Sequence, residues 1–182
     1  MVNDQDRAYF LLECIPNNRL TTHHSEKHPY LHLRRLAEED MTLPAVTCGV
    51  ASMDRVTWGD RWFDMAESEQ NRCTYLLETA AGVIAYLTVH YDGNSCLIAD
   101  EVAVDVRKTK QGYGGVLLRF ADTLARHHGC QKVRINAIKE QIDWYTRSGY
   151  ALVPGRDPLP LDGEEYFPME RVVLYHLPRT NV

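Results

Sequence analysis

The run IADEVAVDVRKTKQGYGGVLLRFADTLARHHG, residues 98–129, combines an apolar strand, a short basic loop, three glycines and an amphipathic helix. Gly112, Gly114 and Gly115 let the chain turn tightly and leave room beside the backbone, because glycine has no Cβ. The helix that begins near Tyr113 presents the N–H groups of its first turn and the positive end of its dipole. This order of elements predicts a cradle for an anion, and a phosphorylated ligand suits it best.

Two common phosphate-binding motifs do not match this loop. A P-loop needs Gly-Lys-Ser or Gly-Lys-Thr at the helix start, and here Gly115 is followed by Val116 and Leu117. A dinucleotide fingerprint needs a third glycine three residues after the second, at the position of Leu117. Both motifs are therefore excluded.

The residues from Val102 to Asp105 and from Lys110 to Gly114 fall in register on a third pattern. They resemble the cofactor motif of the GNAT superfamily of N-acetyltransferases, roughly V-x-V-D-P-x-x-R/Q-G-x-G-x-G/A followed by a helix. The match has two departures, because Thr109 replaces the usual Arg or Gln and Val106 replaces a frequent Pro. The resemblance extends over most of the chain after residue 30.

The resemblance implies an α/β GNAT fold, with a mixed, mostly antiparallel sheet of about six to seven strands flanked by about four helices. It also implies acetyl-CoA as co-substrate, with its pyrophosphate on the glycine loop and its pantetheine arm beside the fourth strand. The expected cofactor contacts are Val102, Val104, Lys110, Gln111, Gly112, Tyr113, Gly114 and Gly115.

Tyr145 lies in the run DWYTRSGYAL, which resembles the family's F-Y-x-x-x-G-F/Y, with Gly149 and Tyr150 in the matching places. The resemblance places this tyrosine beside the thioester sulfur, where it protonates the departing thiolate. A phenol with a pKa of about 10 can supply that proton at neutral pH. The alternative role of Tyr145 is that of a buried aromatic on a core helix.

The family often has an asparagine seven residues before this tyrosine, where it contacts the pantetheine. This chain has Ile138 at that position. Asn136 lies two residues earlier and would make the contact only if its strand ended differently.

Asp100 and Glu101 lie on the fourth strand, next to the expected acetyl site, and are the candidate bases that take the proton of an amine through water. Successive strand residues face opposite sides of a sheet, so at most one of the two faces the substrate unless a bulge intervenes. GNAT sheets often carry such a bulge. Each carboxylate is equally well explained as a hydrogen-bonded or ion-paired strand residue.

The composition gives no basic footprint, since the net charge is −5, and a nucleic-acid partner is not expected. Five scattered cysteines without a C-x-x-C pair are typical of reduced thiols in a cytosolic protein. No apolar run has the length of a membrane span, and the first residues lack the pattern of a signal peptide. We therefore expect a cytoplasmic protein with no membrane partner.

His24, His28 and His32 are spaced by four, which on a helix would align three imidazoles for a metal. Pro29 disfavours a helix across this spacing, so no metal is predicted.

The domain organisation follows from the strand and helix patterns. Residues 1–29 form an N-terminal extension that packs on the domain or on a second subunit, so a homodimer is one arrangement that would order it. Residues 30–182 form the GNAT domain. Its predicted strands are 30–36, 73–79, 83–91, 96–105, 132–138, 150–153 and 171–177, and its predicted helices start near Met53, Tyr113 and Gln141.

The implied activity is transfer of acetyl from acetyl-CoA to a primary amine, either a small cationic amine or the lysine or N-terminal amine of a peptide. Acidic residues near the expected acceptor site would attract a cation, or are solvated surface carboxylates. They are Asp54, Asp60, Asp64, Glu67, Glu69, Asp157, Asp162, Glu164, Glu165 and Glu170. Two alternatives stay open: a GNAT toxin that acetylates aminoacyl-tRNA, and a non-catalytic acyl-CoA-binding module.

Overall fold

The computed structural model of the protein describes residues 31–36, 40, 42–54, 72–93, 95–161 and 163–173. In these residues one eight-stranded sheet is flanked by three α-helices. The strands are β1 (His32–Arg35), β2 (Cys73–Thr79), β3 (Gly82–Tyr91), β4 (Cys96–Val104), β5 (Lys132–Ile138), β6 (Ala151–Leu152), β7 (Leu159–Leu161) and β8 (Glu164–Val172). The helices are α1 (Pro44–Asp54), α2 (Tyr113–His127) and α3 (Ile142–Arg147).

The sheet has the order β1-β2-β3-β4-β5-β8-β6, and β7 pairs with β8. β4 and β5 are parallel, because α2 carries the chain back across the sheet between them. The other described pairings are antiparallel. This is the mixed, mostly antiparallel sheet that the sequence predicts, and the predicted parallel placement of β5 is confirmed.

The two faces of the sheet bury separate apolar clusters. We call the side covered by α2 and α3 the α2 face and the side covered by α1 the α1 face. On the α2 face, Leu117, Phe120 and Leu124 of the amphipathic helix are almost fully buried against the strands. On the α1 face the cluster consists of Val46, Val50, Met53, Leu76, Val83, Tyr86 and Ala103.

Most predicted elements are confirmed to within about two residues, but the C-terminal part of the sheet differs. β8 begins at Glu164, whereas the sequence predicts a closing strand at 171–177, of which 174–177 lie outside the described residues. The start of β8 was not predicted because Pro168 lies within the strand, and proline is unusual inside a sheet. Helix α1 was not predicted, and residues 55–66 of the helix predicted from Met53 lie outside the described residues, as does the 1–29 extension.

Candidate active site

A bulge in β4 lies at the centre of the candidate site. Thr88 of β3 pairs with Glu101 and the next residue, Val89, pairs with Ala99, so Asp100 is the extra residue. The parallel pairing of β4 with β5 ends at the same place, with Ala99 opposite Ile135. Beyond it, β4 continues along β3 while β5 continues along β8. The two strands therefore diverge, and the backbone of β4 after the bulge borders an opening in the sheet.

The turn after β4 is held by Asp105, which is buried. Its carboxylate accepts hydrogen bonds from the Arg107 backbone N–H at 2.9 Å and from the Arg107 guanidinium at 3.0 and 2.7 Å. These hydrogen bonds to Arg107 lower the pKa of Asp105, although burial opposes the shift. The aspartate of the motif thus fixes the start of the loop that leads to α2.

The loop enters α2 through two left-handed residues. Lys110 has φ +62° and Gly112, the N-cap of α2, has φ +89°. The motif has glycine at both positions, so Lys110 is a third departure from it, and Lys110 nevertheless adopts the left-handed conformation that glycine favours. The helical ladder starts with Val116 N–H donating to the Gly112 carbonyl at 3.1 Å, so the first-turn N–H groups point out of the helix end. This geometry suits a phosphate.

The glycines of the first helical turn have different surroundings. A Cβ on Gly114 would lie 2.9 Å from the Trp144 ring and 3.8 Å from Val104 Cγ2. Gly114 was expected to leave room for a ligand, but the room is taken by Trp144, so this expectation is corrected. A Cβ on Gly115 would meet only the end of the Arg119 side chain, at 3.6 Å. Tyr113 is 1% exposed, so only its backbone is available to the cradle.

Tyr145 lies on α3, on the α2 face, and is 8% exposed. Its ring packs edge-on against Trp144 at 4.6 Å and against Tyr150 at 5.8 Å between centroids. Burial raises the pKa of Tyr145 to about 12, which keeps the phenol protonated at neutral pH. Because Trp144 contacts Gly114 beside Val104, the structure brings Tyr145, the start of α2 and the end of β4 together.

Arg171 of β8 connects α2 to the end of α3. The sequence did not predict this role. Its guanidinium donates to the Ser148 carbonyl at 2.6 Å and the Leu118 carbonyl at 3.0 Å, and pairs with Asp122 at 2.5 Å. It also lies over the Tyr150 ring, 4.7 Å from the centroid. One side chain therefore ties α2 to the end of α3, which carries Tyr145.

Asp100 and Glu101 both point to the α1 face. Asp100 contacts His90 Nδ1 at 2.7 Å and Arg72 Nε at 3.3 Å through the same oxygen, Oδ2. Glu101 lies opposite Thr88, two residues before His90 on β3, and is 7% exposed. The bulge produces this arrangement, because an extra residue interrupts the alternation of side chains along β4.

These carboxylates belong to what we call the polar patch, the part of the α1 face beyond the cluster under α1. Thr74 and Thr88 also lie there and share a buried hydrogen bond of 3.0 Å. The sequence predicted the two carboxylates but missed the others, because cross-strand register brings them together. The polar patch consists of Arg72, Thr74, Thr88, His90, Asp100 and Glu101.

Asn136 was expected to contact the pantetheine only if its strand ended differently, and the strand does not. β5 continues to Ile138, so Asn136 lies inside the strand. Its neighbours Ile135 and Ala137 belong to the cluster that contains Tyr145, so Asn136 faces the opposite side of the sheet and is exposed. The suggested contact of Asn136 with the pantetheine is corrected accordingly.

The acidic residues predicted near the acceptor site are only partly described. Glu170 accepts a hydrogen bond from Lys132 Nζ at 2.6 Å and lies 3.6 Å from Arg134, and the Lys132 bond lowers the pKa of Glu170 most. Its charge is therefore balanced locally. Asp157, Glu164 and Glu165 are exposed. Asp60, Asp64, Glu67, Glu69 and Asp162 lie outside the described residues, as does the side chain of Asp54.

Neither a metal-binding cluster nor a membrane-spanning helix occurs in the described part of the chain. No three His, Cys, Asp or Glu side chains converge there as a metal site. His32 lies 3.6 Å from Glu78, while His24 and His28 are outside the described residues. None of the described helices has the length and apolar character needed to cross a membrane.

Comparison with known proteins identifies the class. A sequence profile of the Acetyltransferase (GNAT) family matches residues 30–150, which is more than half of the chain, so the chain belongs to the GNAT acetyltransferase family. A comparison with curated proteins found no match.

Solved structures share the fold. An aminoglycoside 6'-N-acetyltransferase complexed with coenzyme A is 10% identical, with 80% of this chain and 99% of the other covered and a TM-score of 0.65. The ribosomal-protein-S18-alanine N-acetyltransferase from Escherichia coli is 16% identical, with 84% and 99% covered and a TM-score of 0.63. A GNAT family acetyltransferase from Elizabethkingia anophelis with acetyl-CoA bound is 15% identical, with 78% and 97% covered and a TM-score of 0.59.

Proposed function

We propose that this protein transfers an acetyl group from acetyl-CoA to a primary amine. One observation carries the proposal: the divergence of β4 from β5, the N-terminus of α2 and the buried phenol of Tyr145 meet around Gly114 and Trp144. An anion-binding helix end, an open strand backbone and a protonated phenol are the groups that acetyl transfer from a CoA thioester requires.

The loop and the first turn of α2 fit the pyrophosphate of coenzyme A. Gly112 and Lys110 hold left-handed conformations at the entrance to α2, and Lys108 adds positive charge nearby. Two of the structural neighbours hold coenzyme A or acetyl-CoA, which supports the same ligand class here. The backbone of Val102 and Val104, beside the opening in the sheet, is the proposed partner of the pantetheine arm.

The proposed chemistry divides between the two faces. The neutral amine attacks the thioester carbonyl, and a backbone N–H of β4 stabilises the negative charge on the carbonyl oxygen, a type of contact worth about 2.7–4 kcal/mol in other enzymes. When the C–S bond breaks, Tyr145 gives its proton to the thiolate. Its pKa of about 12 ensures that the proton is present at the start of each turnover at neutral pH.

The acceptor is proposed to approach from the polar patch, because Asp100 and Glu101 point to that side of β4. A small cationic amine and the lysine or N-terminal amine of a peptide share the ammonium group that these carboxylates attract. The proposal is therefore restricted to primary amines without choosing among these acceptors.

The test is release of free thiol from acetyl-CoA in the presence of a polyamine, an aminoglycoside, a lysine peptide, a peptide with a free N-terminus, or aminoacyl-tRNA. We expect release that depends on one of the primary amines and follows saturation kinetics. Calorimetric binding of acetyl-CoA without turnover of any acceptor would contradict the proposal and favour a binding module. Turnover of aminoacyl-tRNA alone would favour the toxin.

A further inference from the structure

His90 and Asp100 form a close pair in the polar patch. The distance from His90 Nδ1 to Asp100 Oδ2 is 2.7 Å, and the two side chains are 28% and 14% exposed. Arg72 Nε reaches the same Asp100 oxygen at 3.3 Å. The carboxylate is thus held from two sides by cationic or N–H-bearing groups, while the imidazole is its more exposed partner.

This geometry fixes the roles of the two imidazole nitrogens. An ionised carboxylate only accepts hydrogen bonds, so Nδ1 carries the proton and donates it to Asp100. The lone pair of the neutral ring then resides on Nε2. Imidazole is the side chain that ordinarily changes charge between pH 5 and 8, which makes it a better proton acceptor at neutral pH than a salt-bridged carboxylate.

We propose that His90 accepts the proton of the acceptor's ammonium group, and that Asp100 is a positioning residue that orients its ring. The proposal deepens the proposed acetyl transfer and rests on it. Asp100 follows Ile98 by two residues on the α1 face, and Ile98 pairs with His90, so the carboxylate lies diagonally across from the imidazole at the place where β4 leaves β5. The bulge then turns Glu101 to the same face.

The proton balance of the step is as follows. His90 takes one proton from the ammonium group, directly or through one water, and later releases it to solvent. The neutral amine forms the C–N bond, and the C–S bond breaks as its electron pair leaves with sulfur. Tyr145 protonates the thiolate and then regains a proton from solvent. The attacking nitrogen loses its second proton to solvent. The products are the amide, free coenzyme A and one net proton.

Other charged groups face His90 from every neighbouring strand. Arg72 precedes β2, and Asp100 and Glu101 lie on β4. Ile98 separates His90 from Arg134 of β5, which lies 3.6 Å from Glu170 of β8. Two carboxylates and one arginine thus lie immediately around His90.

The experiment compares pH profiles of kcat/KM between pH 5.5 and 9 for the wild type, His90→Gln and Asp100→Asn. His32→Gln is the matched control, since His32 also lies near a carboxylate, 3.6 Å from Glu78, but on β1. We expect His90→Gln to lower kcat/KM at pH 7 at least about tenfold and to flatten the acidic limb. Asp100→Asn should lower kcat with a smaller change in KM, and His32→Gln should keep the wild-type profile.

Chemical rescue separates a proton acceptor from a structural residue. Added imidazole should restore part of the activity of His90→Gly and leave that of Tyr145→Phe unchanged. A wild-type acidic limb in a folded His90→Gln variant would overturn the role of His90 while leaving acetyl transfer intact. If His90→Gln does not fold, the wild type provides the test. The midpoint of the His90 NMR titration should then equal the midpoint of the acidic limb of kcat/KM, and a mismatch would overturn the role of His90 as proton acceptor. A wild type without amine-dependent turnover would overturn acetyl transfer and this role together.

Discussion

The two faces of β4 differ in what they present at the same point of the sheet. Towards α2, Val102 and Val104 pack into the apolar cluster that holds Trp144 and Tyr145. Towards α1, Asp100 and Glu101 lie in the polar patch among charged and hydroxyl side chains. The bulge and the end of the β4–β5 pairing coincide at Ala99 and Asp100. From this point β4 presents apolar side chains to the α2 face and polar or charged side chains to the polar patch.

The difference between the two faces suits them to two different ligands, the cofactor on the α2 face and the acceptor amine at the polar patch. The α2 face offers backbone N–H groups, a helix end and one phenol, which can hold a large ligand of fixed shape such as acetyl-CoA. The polar patch offers side-chain charges, which in the proposed function attract and deprotonate an amine but specify its shape weakly. We therefore expect cofactor affinity to depend on the α2 face and the acceptor's pH dependence to depend on the polar patch.

The largest effect in this comparison is expected from Tyr145→Phe. Loss of the phenolic proton should lower kcat by about 10²- to 10⁴-fold while acetyl-CoA affinity stays within about twofold, because the ring still packs. Single-turnover kinetics measure the chemical step directly. An unchanged single-turnover rate would assign Tyr145 to core packing alone.

The same residue predicts a stability effect at high pH. The pKa of Tyr145 in the folded state, about 12, lies above the ordinary value near 10. Its contribution to stability is therefore complete below pH 10 and is lost as the pH rises towards 12. The unfolding temperature of Tyr145→Phe should fall less than that of the wild type over this range. Equal losses would show that Tyr145 does not contribute to the alkaline destabilisation.

The next effect concerns the first turn of α2. Gly114→Ala places a methyl group 2.9 Å from the Trp144 ring and should destabilise the fold by about 1–3 kcal/mol. The matched variant Gly115→Ala meets only the flexible end of Arg119 and should stabilise α2 by up to about 1 kcal/mol. Denaturant unfolding measures both changes. Equal stability of the two variants would show that Trp144 does not pack on Gly114.

A smaller effect is expected at the turn that leads into the glycine loop. Asp105→Ala removes the acceptor of the Arg107 backbone N–H and should lower the free energy of unfolding by about 1 kcal/mol at pH 7. Because Arg107 lowers the pKa of Asp105, this stabilisation should be present above about pH 4 and disappear as the pH falls further. The exposed Asp157, changed to alanine, is the control. A pH-independent difference would contradict the ionic origin.

The smallest effect is expected from Asn136→Ala, because Asn136 faces away from the cluster around Tyr145. Calorimetry should give an acetyl-CoA affinity within about twofold of the wild type, a difference of about 0.4 kcal/mol. A loss of tenfold or more would place the cofactor on the α1 face and remove the contrast between the faces.

The α2 side could be predicted because its signals are local. Gly112, Asp105 and the start of α2 lie within a dozen residues, and their roles follow from backbone conformation and helix-end chemistry. Gly114 shows where prediction from local sequence ends. Glycine is needed at this position because the Trp144 ring, thirty residues later in the chain, occupies the space of a Cβ. A sequence motif identifies such a glycine but not the contact that requires it.

The polar patch could not be assembled from the sequence because it depends on register. His90 meets Asp100 because the register of β3 and β4 places His90 opposite Ile98, two residues before Asp100 on the same face, and a shift of one position would turn Asp100 to the other face. Arg72 joins them from the start of β2. Glu170 likewise appeared as a free surface charge until the pairing of β5 with β8 placed it against Lys132 and Arg134.

The most direct test of the cofactor site is the change in backbone amide NMR shifts when acetyl-CoA is added to the wild-type protein. The largest changes should fall on residues 100–104 of β4 and on 110–115, with the Trp144 indole also affected. Changes in the polar patch should be confined to Asp100 and Glu101. Saturable binding with its largest changes on α1 and the polar patch, and none at Gly112 to Gly115, would contradict the placement of acetyl-CoA on the α2 face.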